Sequence, residues 1–459
     1  MKITILLCPS LFKRCPLIGL GYLSAYLKAK GHQVTVLDLN TEMDIPEEAN
    51  EGKWNDKVFV EKFISENNDF FESLSEKIVQ SGSDIIGFSV WATTKYTSLA
   101  LAGMIKQKDK DKLIVFGGPE CSFTGDSLIR DEAVDMVVCG EGEETFARIA
   151  HIYEREKRVD FCPGALLKND GDIIDCGFRE EIENLNSLPY PDYSDFSLSE
   201  YYSSHLPMTF YRGCLNRCVF CNCAVTWKKF RSRTAKNIYQ EMISQIEKYP
   251  NLHKFGIDDT ALNLNLPMLS ELCDLILTNG LKMNWGGAAL IRKEMSAELI
   301  EKMAKAGCNC IGYGLESGSQ KIVDRMGKGF SIEDAERVIR DTYNAGIETI
   351  LGIIIGFPGE TDDDFQETMN FLRRNKRFIS KINFPGECCI GCNSYMLKYP
   401  EKFNVILDPD GDGERWWSKD GKNTHDVRQR RKEVFNEFLG SLDLASGNYT
   451  TVFKKRNFD

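Results

Sequence analysis

Residues 211–223 read Y-R-G-C-L-N-R-C-V-F-C-N-C and place four cysteines within ten positions. The spacing is C-x3-C-x2-C from Cys214 through Cys218 to Cys221, and Cys223 follows one residue further on. The first cysteine follows the strand candidate M-T-F-Y-R, with only Gly213 between them. Four thiols close together are ligands for a metal centre, and the surrounding pattern has to decide which one.

Strand and helix patterns alternate from residue 208 onward. The strand candidates are M-T-F-Y-R, K-F-G-I-D-D, N-W-G-G-A-A-L, C-I-G-Y-G-L-E, T-I-L-G-I-I-I-G-F and K-I-N-F. Helical patterns fill the intervals, so the sequence predicts a partial (β/α)6 barrel, two units short of a closed eight-stranded one. Ligands of such barrels bind at the carboxyl ends of the strands, where the cysteine loop lies.

The first 150 residues alternate in the same way. Strand candidates are K-I-T-I-L-L, Q-V-T-V-L-D-L, D-I-I-G-F-S-V, K-L-I-V-F-G-G and D-M-V-V-C. Leu20, Leu23 and Leu27 share one helical face between the first two strands, and Gly31 ends that helix. Continuous apolar strands separated by helices predict a parallel sheet covered on both faces, here a flavodoxin-like doubly wound α/β domain.

Four regions are therefore expected along the chain. They are an N-terminal α/β domain over 1–150, an ordered linker over 151–205, the partial barrel over 206–400 and a small C-terminal extension over 401–459. Within the first region, the acidic residues 41–82 are expected to form a helical insertion with a solvated outer face.

Composition narrows the class of protein. The 459 residues are 42% hydrophobic and 27% charged, as in a soluble globular protein of two or three domains. A net charge of −11 argues against nucleic acid as a partner. The apolar run M-K-I-T-I-L-L lacks a cleavage site, so we expect a buried strand rather than a signal peptide. No apolar segment approaches a membrane span, and sixteen cysteines without a secretion signal indicate a reducing cytoplasm.

Two kinds of metal centre suit the cysteine loop. Structural zinc uses two well-separated ligand pairs, but no second pair follows at a suitable distance and no histidine lies in the loop. Three thiolates in one short loop can instead hold three irons of a 4Fe-4S cubane and leave the fourth iron open. The pattern favours this cluster on Cys214, Cys218 and Cys221 over zinc, and Cys223 lies too close to Cys221 to reach the fourth corner.

C-x3-C-x2-C with an aromatic residue before the last cysteine resembles the signature of radical S-adenosylmethionine (SAM) enzymes. The resemblance implies that SAM chelates the open iron, and that an electron from the cluster cleaves it to a 5′-deoxyadenosyl radical. Segments similar to the SAM-binding segments of that superfamily follow in the same order along the chain. The implied contacts are Phe220 in the cysteine loop, Asp258 of Asp258-Asp259 at the amino group, Glu316 and Ser317 of G-L-E-S-G-S at the ribose, and Gly356 of G-I-I-I-G-F-P-G-E-T at the adenine.

The N-terminal half resembles the cobalamin-binding domain that precedes the barrel in one class of these enzymes. P-L-I-G-L-G-Y-L, G-F-S-V-W, V-F-G-G-P-E and V-V-C-G-E-G-E-E-T-F carry the resemblance, which extends from residue 1 to about 400. It implies cobalamin contacts along the strand-end rim at Ser10, Gly19, Ser89, Thr93, Gly117, Gly118, Glu141 and Gly142.

One departure concerns the lower face of the cobalt. Many cobalamin domains carry D-x-H-x-x-G after the first strand, whereas this chain reads C-P-S-L-F-K-R without a histidine. The resemblance therefore implies cobalamin without a histidine ligand. Some members of the class carry the domain without using cobalamin, and that alternative stays open.

The function implied by this resemblance is methylation of an unactivated carbon or phosphorus. The expected partners are a small-molecule, peptide or lipid-precursor substrate and a flavodoxin- or ferredoxin-type electron donor. Alternatives are a non-methylating cyclisation, rearrangement or ring contraction, and a non-catalytic cobalamin or redox sensor. A methylthiolating enzyme would carry three cluster cysteines in its N-terminal domain, whereas the cysteines there are scattered.

Two further segments contain candidate ligands. F-P-G-E-C-C-I-G-C-N-S-Y, residues 384–395, supplies Cys388, Cys389 and Cys392, which are candidates for a functional thiol or part of an auxiliary cluster. D-P-D-G-D-G-E, residues 408–414, imitates the start of a calcium loop, but Lys419 stands where the bidentate glutamate belongs. We therefore expect a polar turn there.

Overall fold

The computed structural model describes residues 1–9, 13–43, 53–169, 171–383, 386–408 and 415–444. The chain forms two compact units, Met1–Tyr202 and Ser203–Asp459. Ser10 and most of the segment 408–414 lie outside the described residues.

Seven described strands of the first unit form one sheet in the order β2-β1-β3-β4-β5-β6-β7. The first five pair in parallel, which confirms the flavodoxin-like prediction. The strands are β1 Lys2–Leu7, β2 Gln33–Asp38, β3 Ile85–Ser89, β4 Leu113–Gly117, β5 Met136–Val138, β6 Ala165–Asn169 and β7 Asp172–Asp175.

Helices cover this sheet, and the insertion after β2 contributes to its core. Trp54, Phe63 and Phe71 are buried there, so residues 53–80 are only partly the solvated face that their charge predicted. The helices are α1 Ile18–Ala29, α2 Leu39–Glu42, α3 Lys57–Glu66, α4 Asn68–Gln80, α5 Lys95–Lys108, α6 Cys121–Leu128 and α7 Gly142–Glu156, with 3₁₀ turns at Lys53–Asn55, Ala92–Thr94, Leu185–Ser187 and Leu198–Glu200.

The segment after α7 is built into the first unit. Strands β6 and β7 pair antiparallel and extend the sheet past β5. Further along, Lys28 Nζ lies 2.7 Å from Asp192 Oδ2, and the Tyr201 hydroxyl donates to Asp38 Oδ2 at 2.6 Å. These contacts fix the expected linker to α1 and β2.

The second unit has its own parallel sheet, in the order β15-β14-β13-β12-β11-β8 with β16 paired to the end of β14. Five of the six predicted strands lie in this sheet, and the partial β/α architecture is confirmed. The first was misplaced: the sheet strand is Leu206–Met208, whereas Tyr211–Arg212 of the predicted M-T-F-Y-R pair in a separate ladder. Two short antiparallel ladders, β9 with β10 and β17 with β18, lie outside this sheet. The strands are β8 Leu206–Met208, β9 Tyr211–Arg212, β10 Arg231–Ser232, β11 Lys254–Ile257, β12 Asn284–Ala289, β13 Cys308–Glu316, β14 Glu348–Ile355, β15 Lys381–Ile382, β16 Gly386–Glu387, β17 Val405–Leu407 and β18 Trp416–Ser418.

Polar caps start the helices that connect these strands. The side chains of Thr234, Asn265, Ser296, Ser331 and Thr361 each accept a hydrogen bond from a backbone amide of the first helical turn. The helices are α8 Cys223–Thr226, α9 Ala235–Lys248, α10 Leu266–Thr278, α11 Ala297–Lys305, α12 Gln320–Met326, α13 Ile332–Asn344, α14 Asp362–Asn375, α15 Tyr395–Lys398 and α16 His425–Ser441, with 3₁₀ turns at Lys376–Phe378 and Pro400–Phe403. None of the described helices is long and apolar enough to cross a membrane.

Candidate cluster, SAM and cobalamin sites

The cysteine loop is closed at its base. Strands β9 and β10 pair antiparallel, with Arg212 opposite Arg231, and enclose residues 213–230. Gly213, directly before Cys214, has φ +94°, and a Cβ there would lie 2.6 Å from the Lys229 carbonyl oxygen. The two ends of the loop cross so closely here that only glycine fits. The backbone therefore requires a glycine directly before the first cysteine.

The end of β11 carries the base of the loop. Asp259 Oδ2 accepts a hydrogen bond from the Phe210 amide at 2.7 Å, and the Thr260 hydroxyl donates to the Gly213 carbonyl at 3.1 Å. Burial raises the pKa of Asp259 well above its usual range. Its neighbour Asp258, the expected SAM contact, is exposed at the rim. The adjacent carboxylates therefore differ: the Asp259 carboxylate is buried and stabilises the loop, whereas Asp258 is exposed.

The three predicted ligand cysteines are partly buried on this loop. A hydrogen bond with the Cys223 thiol, helped by the Asn216 backbone and the Thr260 side chain, lowers the pKa of Cys214 to about 6 against the effect of burial. Burial raises the pKa of Cys218 and of Cys221. The pKa of Cys214 is therefore shifted toward the thiolate, the form that binds metal.

The donor set of the loop fits an iron–sulfur cluster. Three partly exposed thiols on one closed loop, at the carboxyl ends of parallel strands, are the ligands that a cubane with one open iron requires. Among the described residues, no group of three or more His, Cys, Asp or Glu side chains is placed to hold a single metal ion. The assignment of the cluster ligands therefore depends on their spacing and their place in the fold.

Lys328 is a feature of the site that the sequence reasoning missed. Its side chain is 6% exposed and its Nζ lies 2.9 Å from Glu316 Oε1. The Val219 amide donates to the Met326 carbonyl at 3.1 Å, and Asn216 Nδ2 donates to the Lys328 carbonyl at 3.2 Å, so this segment packs on the cysteine loop. Burial lowers the pKa of Lys328, but Glu316 and the nearby thiols more than offset this and keep the ammonium charged.

Glu316 and Ser317 have different surroundings. Glu316 has φ +64°, and its carboxylate lies over Gly314, where any Cβ would collide with it. Gly314 is paired with Gly352 on the next strand, so two facing glycines leave room for the Glu316–Lys328 pair. The hydroxyl of Ser317 is buried against Thr368 Oγ1 at 3.1 Å and accepts from the Ser319 amide. The buried hydroxyl of Ser317 thus stabilises the turn after β13 through these hydrogen bonds.

Phe220 and Cys388 belong to one apolar cluster. The rings of Phe220 and Phe357 are 6.4 Å apart, and the Gly391 amide donates to the Phe220 carbonyl at 3.0 Å. Cys388 is 1% exposed, and burial raises the pKa of its thiol. Of the other two candidate thiols on this loop, Cys389 is exposed and Cys392 is half-buried.

The C-terminal extension covers one side of Gly356. This residue has φ +77°, and a Cβ there would collide with the side chain of Arg428, which is 1% exposed and lies 4.0 Å over the Trp416 ring. The Gly356 amide donates to Glu360 Oε2 at 2.8 Å. Burial raises the pKa of Glu360 to about 7, although Arg431 opposes the shift. Packing within the protein therefore already requires the glycine.

The first unit gathers half of its predicted cobalamin residues at two neighbouring strand ends. Ser89 and Gly117 are the paired last residues of β3 and β4, and Thr93 lies in the turn that follows β3. Gly118 has φ +103°, and a Cβ there would lie 2.8 Å from the Val90 carbonyl oxygen. The loops after β3 and β4 are therefore in backbone contact with each other, at the rim where ligands of such sheets bind.

Three further predicted contacts, Gly19, Glu141 and Gly142, lie at helix starts. Gly142 is the first residue of α7, and Glu141 Oε2 accepts a hydrogen bond from the Ile182 amide at 2.6 Å. Gly19 is exposed in the first turn of α1, with open space around its Cα. The rim offers backbone groups and small side chains, which suits a large planar ligand such as cobalamin.

Comparison with known families matches both units. Residues 208–372 match the radical SAM superfamily, and residues 8–150 match the B12 binding domain. The chain belongs to the B12-binding radical SAM enzymes. The cofactors of this enzyme are accordingly a 4Fe-4S cluster, SAM and cobalamin.

Curated relatives of this radical SAM enzyme include methyltransferases and a cyclase. An uncharacterised methyltransferase of Pyrococcus horikoshii is 25% identical over 430 residues, 89% of this chain and 87% of the relative. The cytidylyl-2-hydroxyethylphosphonate methyltransferase of Streptomyces wedmorensis is 24% identical over 77% of this chain and 72% of its own length. The anaerobic magnesium-protoporphyrin IX monomethyl ester cyclase of Rubrivivax gelatinosus is 24% identical over 78% of this chain and 62% of its own length.

Solved structures share the fold of both units. The radical enzyme OxsB with aqua-cobalamin and SAM bound superposes with a TM-score of 0.74 at 19% identity, over 96% of this chain and 66% of OxsB. The methyltransferase TsrM of Kitasatospora setae, with cobalamin and a [4Fe-4S] cluster bound, gives 0.68 at 16% identity, over 89% of this chain and 81% of TsrM.

Proposed function

We propose that this enzyme is a cobalamin-dependent radical SAM methyltransferase. Its substrate is a small molecule, a peptide or a lipid precursor, and the methyl group goes to an unactivated carbon or to phosphorus. The observation that carries the proposal is a three-cysteine loop at the rim of a radical SAM sheet, in one chain with a B12-binding domain. Similarity to two methyltransferases over more than three quarters of the chain supports it.

In the second unit, different residues would bind the cluster and SAM. When bound, these cofactors supply a 5′-deoxyadenosyl radical, and cobalamin supplies the methyl group. Cys214, Cys218 and Cys221 hold three irons. The neighbouring Lys328 gives a fixed positive charge that suits the carboxylate of SAM, and Asp258, exposed at the same rim, suits its ammonium. Glu316, which is paired with Lys328, would accept hydrogen bonds from the ribose hydroxyls.

Three further features complete the proposal. A flavodoxin- or ferredoxin-type protein in the cytoplasm reduces the cluster, since such clusters work at low potential. The working domains are residues 1–150 for cobalamin, 151–205 as linker, 206–400 for the radical chemistry and 401–459 as an extension. Cys389 is the accessible candidate for a functional thiol beside the cysteine loop.

Product analysis tests the methyltransferase proposal. Enzyme reconstituted anaerobically with iron, sulfide and cobalamin is incubated with SAM, a low-potential reductant and candidate substrates. We expect 5′-deoxyadenosine and S-adenosylhomocysteine in equal amounts, together with a product one methylene heavier. Formation of 5′-deoxyadenosine without S-adenosylhomocysteine, in the presence of a consumed substrate, would contradict methyl transfer.

The second candidate is a non-methylating radical reaction such as cyclisation. The similarity to the Rubrivivax gelatinosus cyclase over 78% of this chain favours keeping it. The same assay separates the two, because a cyclase consumes its substrate without forming S-adenosylhomocysteine. A sensor without catalysis would cleave no SAM at all.

A further inference from the structure

The exposed side of the cysteine loop is basic, although the chain as a whole is acidic. Residues 201–240 contain seven Lys and Arg residues and no Asp or Glu, whereas the net charge of the whole chain is −11. Arg217, Lys228 and Lys229 are the exposed cations within the loop. A positive region of this kind attracts negatively charged partners and speeds their association.

Arg325, at the end of α12, extends this region beyond the loop. The Val219 amide donates to the Met326 carbonyl at 3.1 Å, so the end of the helix lies along the cysteine loop. A Cβ on Gly327 would lie 3.5 Å from the carbonyl oxygen of Arg217. Arg217 and Arg325 therefore stand on two neighbouring backbone segments that are in contact.

The charges of these two arginines are not neutralised by neighbouring carboxylates. Both are exposed, and in the part of the chain that the structure describes neither side chain has a hydrogen-bond or ion-pair partner. Asp324, the acidic residue beside Arg325, accepts instead from Gln320 of the same helix at 2.8 Å. The two guanidinium groups thus keep their charge and their donors for a partner.

Leu215 adds an apolar contact next to the predicted cluster ligands. It directly follows Cys214, and its side chain is 52% exposed. An apolar residue with cations around it has the composition of a protein-binding patch, in which an apolar centre is surrounded by a polar rim. The name basic surface is used below for Leu215, Arg217, Lys228, Lys229 and Arg325.

An electron carrier is the partner that suits a basic surface at this place. The cluster has to receive an electron before SAM is cleaved, and the rate of electron transfer falls steeply with distance. A carrier therefore has to dock over the cysteine loop, and charge complementarity requires that its docking face be acidic. Ferredoxins contain iron–sulfur clusters of low reduction potential, as a donor to this cluster needs.

We propose that the basic surface docks a ferredoxin-type protein through an acidic face of that protein. One electron leaves the reduced ferredoxin, which is oxidised, and enters the cluster, which is reduced; no proton is transferred and no covalent bond is formed or broken. This inference rests on the cluster of the proposed function and names its electron donor, but it does not depend on methyl transfer.

The first test measures binding of oxidised plant-type [2Fe–2S] ferredoxin to the reconstituted enzyme by isothermal titration calorimetry. Arg217→Glu combined with Arg325→Glu reverses two charges and should weaken binding about tenfold at low ionic strength. The affinity of the wild type should fall as salt is added, and that of the variant should fall less. Lys282→Glu combined with Arg340→Glu is the matched control, because it makes the same change of charge at exposed positions before β12 and near the end of α13. The control should bind as the wild type does.

The second test measures how fast the cluster is reduced, by its electron paramagnetic resonance signal. Reduced ferredoxin should reduce the cluster about tenfold more slowly in Arg217→Glu/Arg325→Glu than in the wild type. Dithionite needs no docking surface, so reduction by dithionite and the resulting 5′-deoxyadenosine formation should be unchanged. If the charge reversal prevents uptake of the cluster, Arg217→Gln combined with Arg325→Gln removes the same charges with less disturbance and should weaken binding in the same direction.

The outcomes separate this inference from the proposed function. Equal ferredoxin affinity in the wild type and in both arginine variants would overturn it, and so would an equal loss in the control. Reduction by flavodoxin or dithionite but not by ferredoxin would overturn the choice of carrier. RNA or a second copy of the chain that loses binding in the variants, with ferredoxin binding unchanged, would replace ferredoxin as the partner. Ferredoxin-driven SAM cleavage without S-adenosylhomocysteine would contradict only methyl transfer, whereas a wild-type chain that takes up no cluster would remove both proposals.

Discussion

The two sheets both gather their candidate ligand residues at the carboxyl ends of parallel strands, but they present different chemistry there. In the second unit, the residues around the cysteine loop are thiols, carboxylates and a buried lysine. In the first unit, the described rim residues are glycines, a serine and a threonine, together with Glu141, whose carboxylate accepts from the Ile182 amide. One rim is defined by reactive side chains, and the other by the space that small residues leave.

This difference decides what a sequence can reveal. A C-x3-C-x2-C spacing has few explanations, so the sequence leads to one prediction of the cluster ligands. A glycine at a strand end has two explanations, a ligand that needs the space or a close approach of the backbone. Gly118 is required by the Val90 backbone whether or not a ligand binds. Gly356 is similar, because Arg428 occupies the space beside it. At such positions the fold and the ligand make the same demand on the sequence.

The largest effect is expected from the cysteine loop. Cys221→Ala removes one of three cluster ligands, so the iron content should collapse and SAM cleavage should stop. Cobalamin bound by the first unit should remain visible in the absorption spectrum, because its predicted contacts all lie in residues 10–142. Cys273→Ala is the control for loss of a buried thiol. If Cys221→Ala kept its cluster, Cys221 would not be a cluster ligand, and the contrast between the two rims would fail.

A smaller effect is expected at Lys328. Lys328→Met leaves Glu316 without its partner in a half-buried site, which should cost about 3 kcal/mol in the free energy of unfolding. The affinity for SAM, measured by equilibrium binding to the reconstituted enzyme, should fall at least tenfold. Lys328→Arg keeps the charge and should recover part of both. Equal SAM affinity in Lys328→Met and wild type would reject the proposed contact.

Much of the fold could be predicted from the sequence, because continuous apolar strands alternate with helical patterns in both units. The short strands β6 and β7 were missed, since four or five residues beside a turn carry little periodicity. The buried face of α3 and α4 was hidden by their many charges, although Phe63 and Phe71 were visible in the sequence. Lys328 was missed because lysines are seldom buried without a partner, and Glu316 is twelve residues away along the chain.

The smallest effects should come from the glycine rim, where two substitutions sharpen the contrast. Gly118→Ala places a Cβ 2.8 Å from the Val90 carbonyl in a left-handed conformation, and should destabilise the first unit by about 1–3 kcal/mol. Gly19→Ala meets open space in the first turn of a helix, so stability should be unchanged or rise by about 0.5 kcal/mol. Denaturant unfolding measures both. Cobalamin affinity then distinguishes the roles of the two glycines, because Gly19→Ala leaves the fold intact. Weaker cobalamin binding in that variant would mark Gly19 as a ligand contact, whereas unchanged binding would remove it from the predicted rim. At Gly118 the same loss of affinity would prove less, since the fold alone already requires a glycine there.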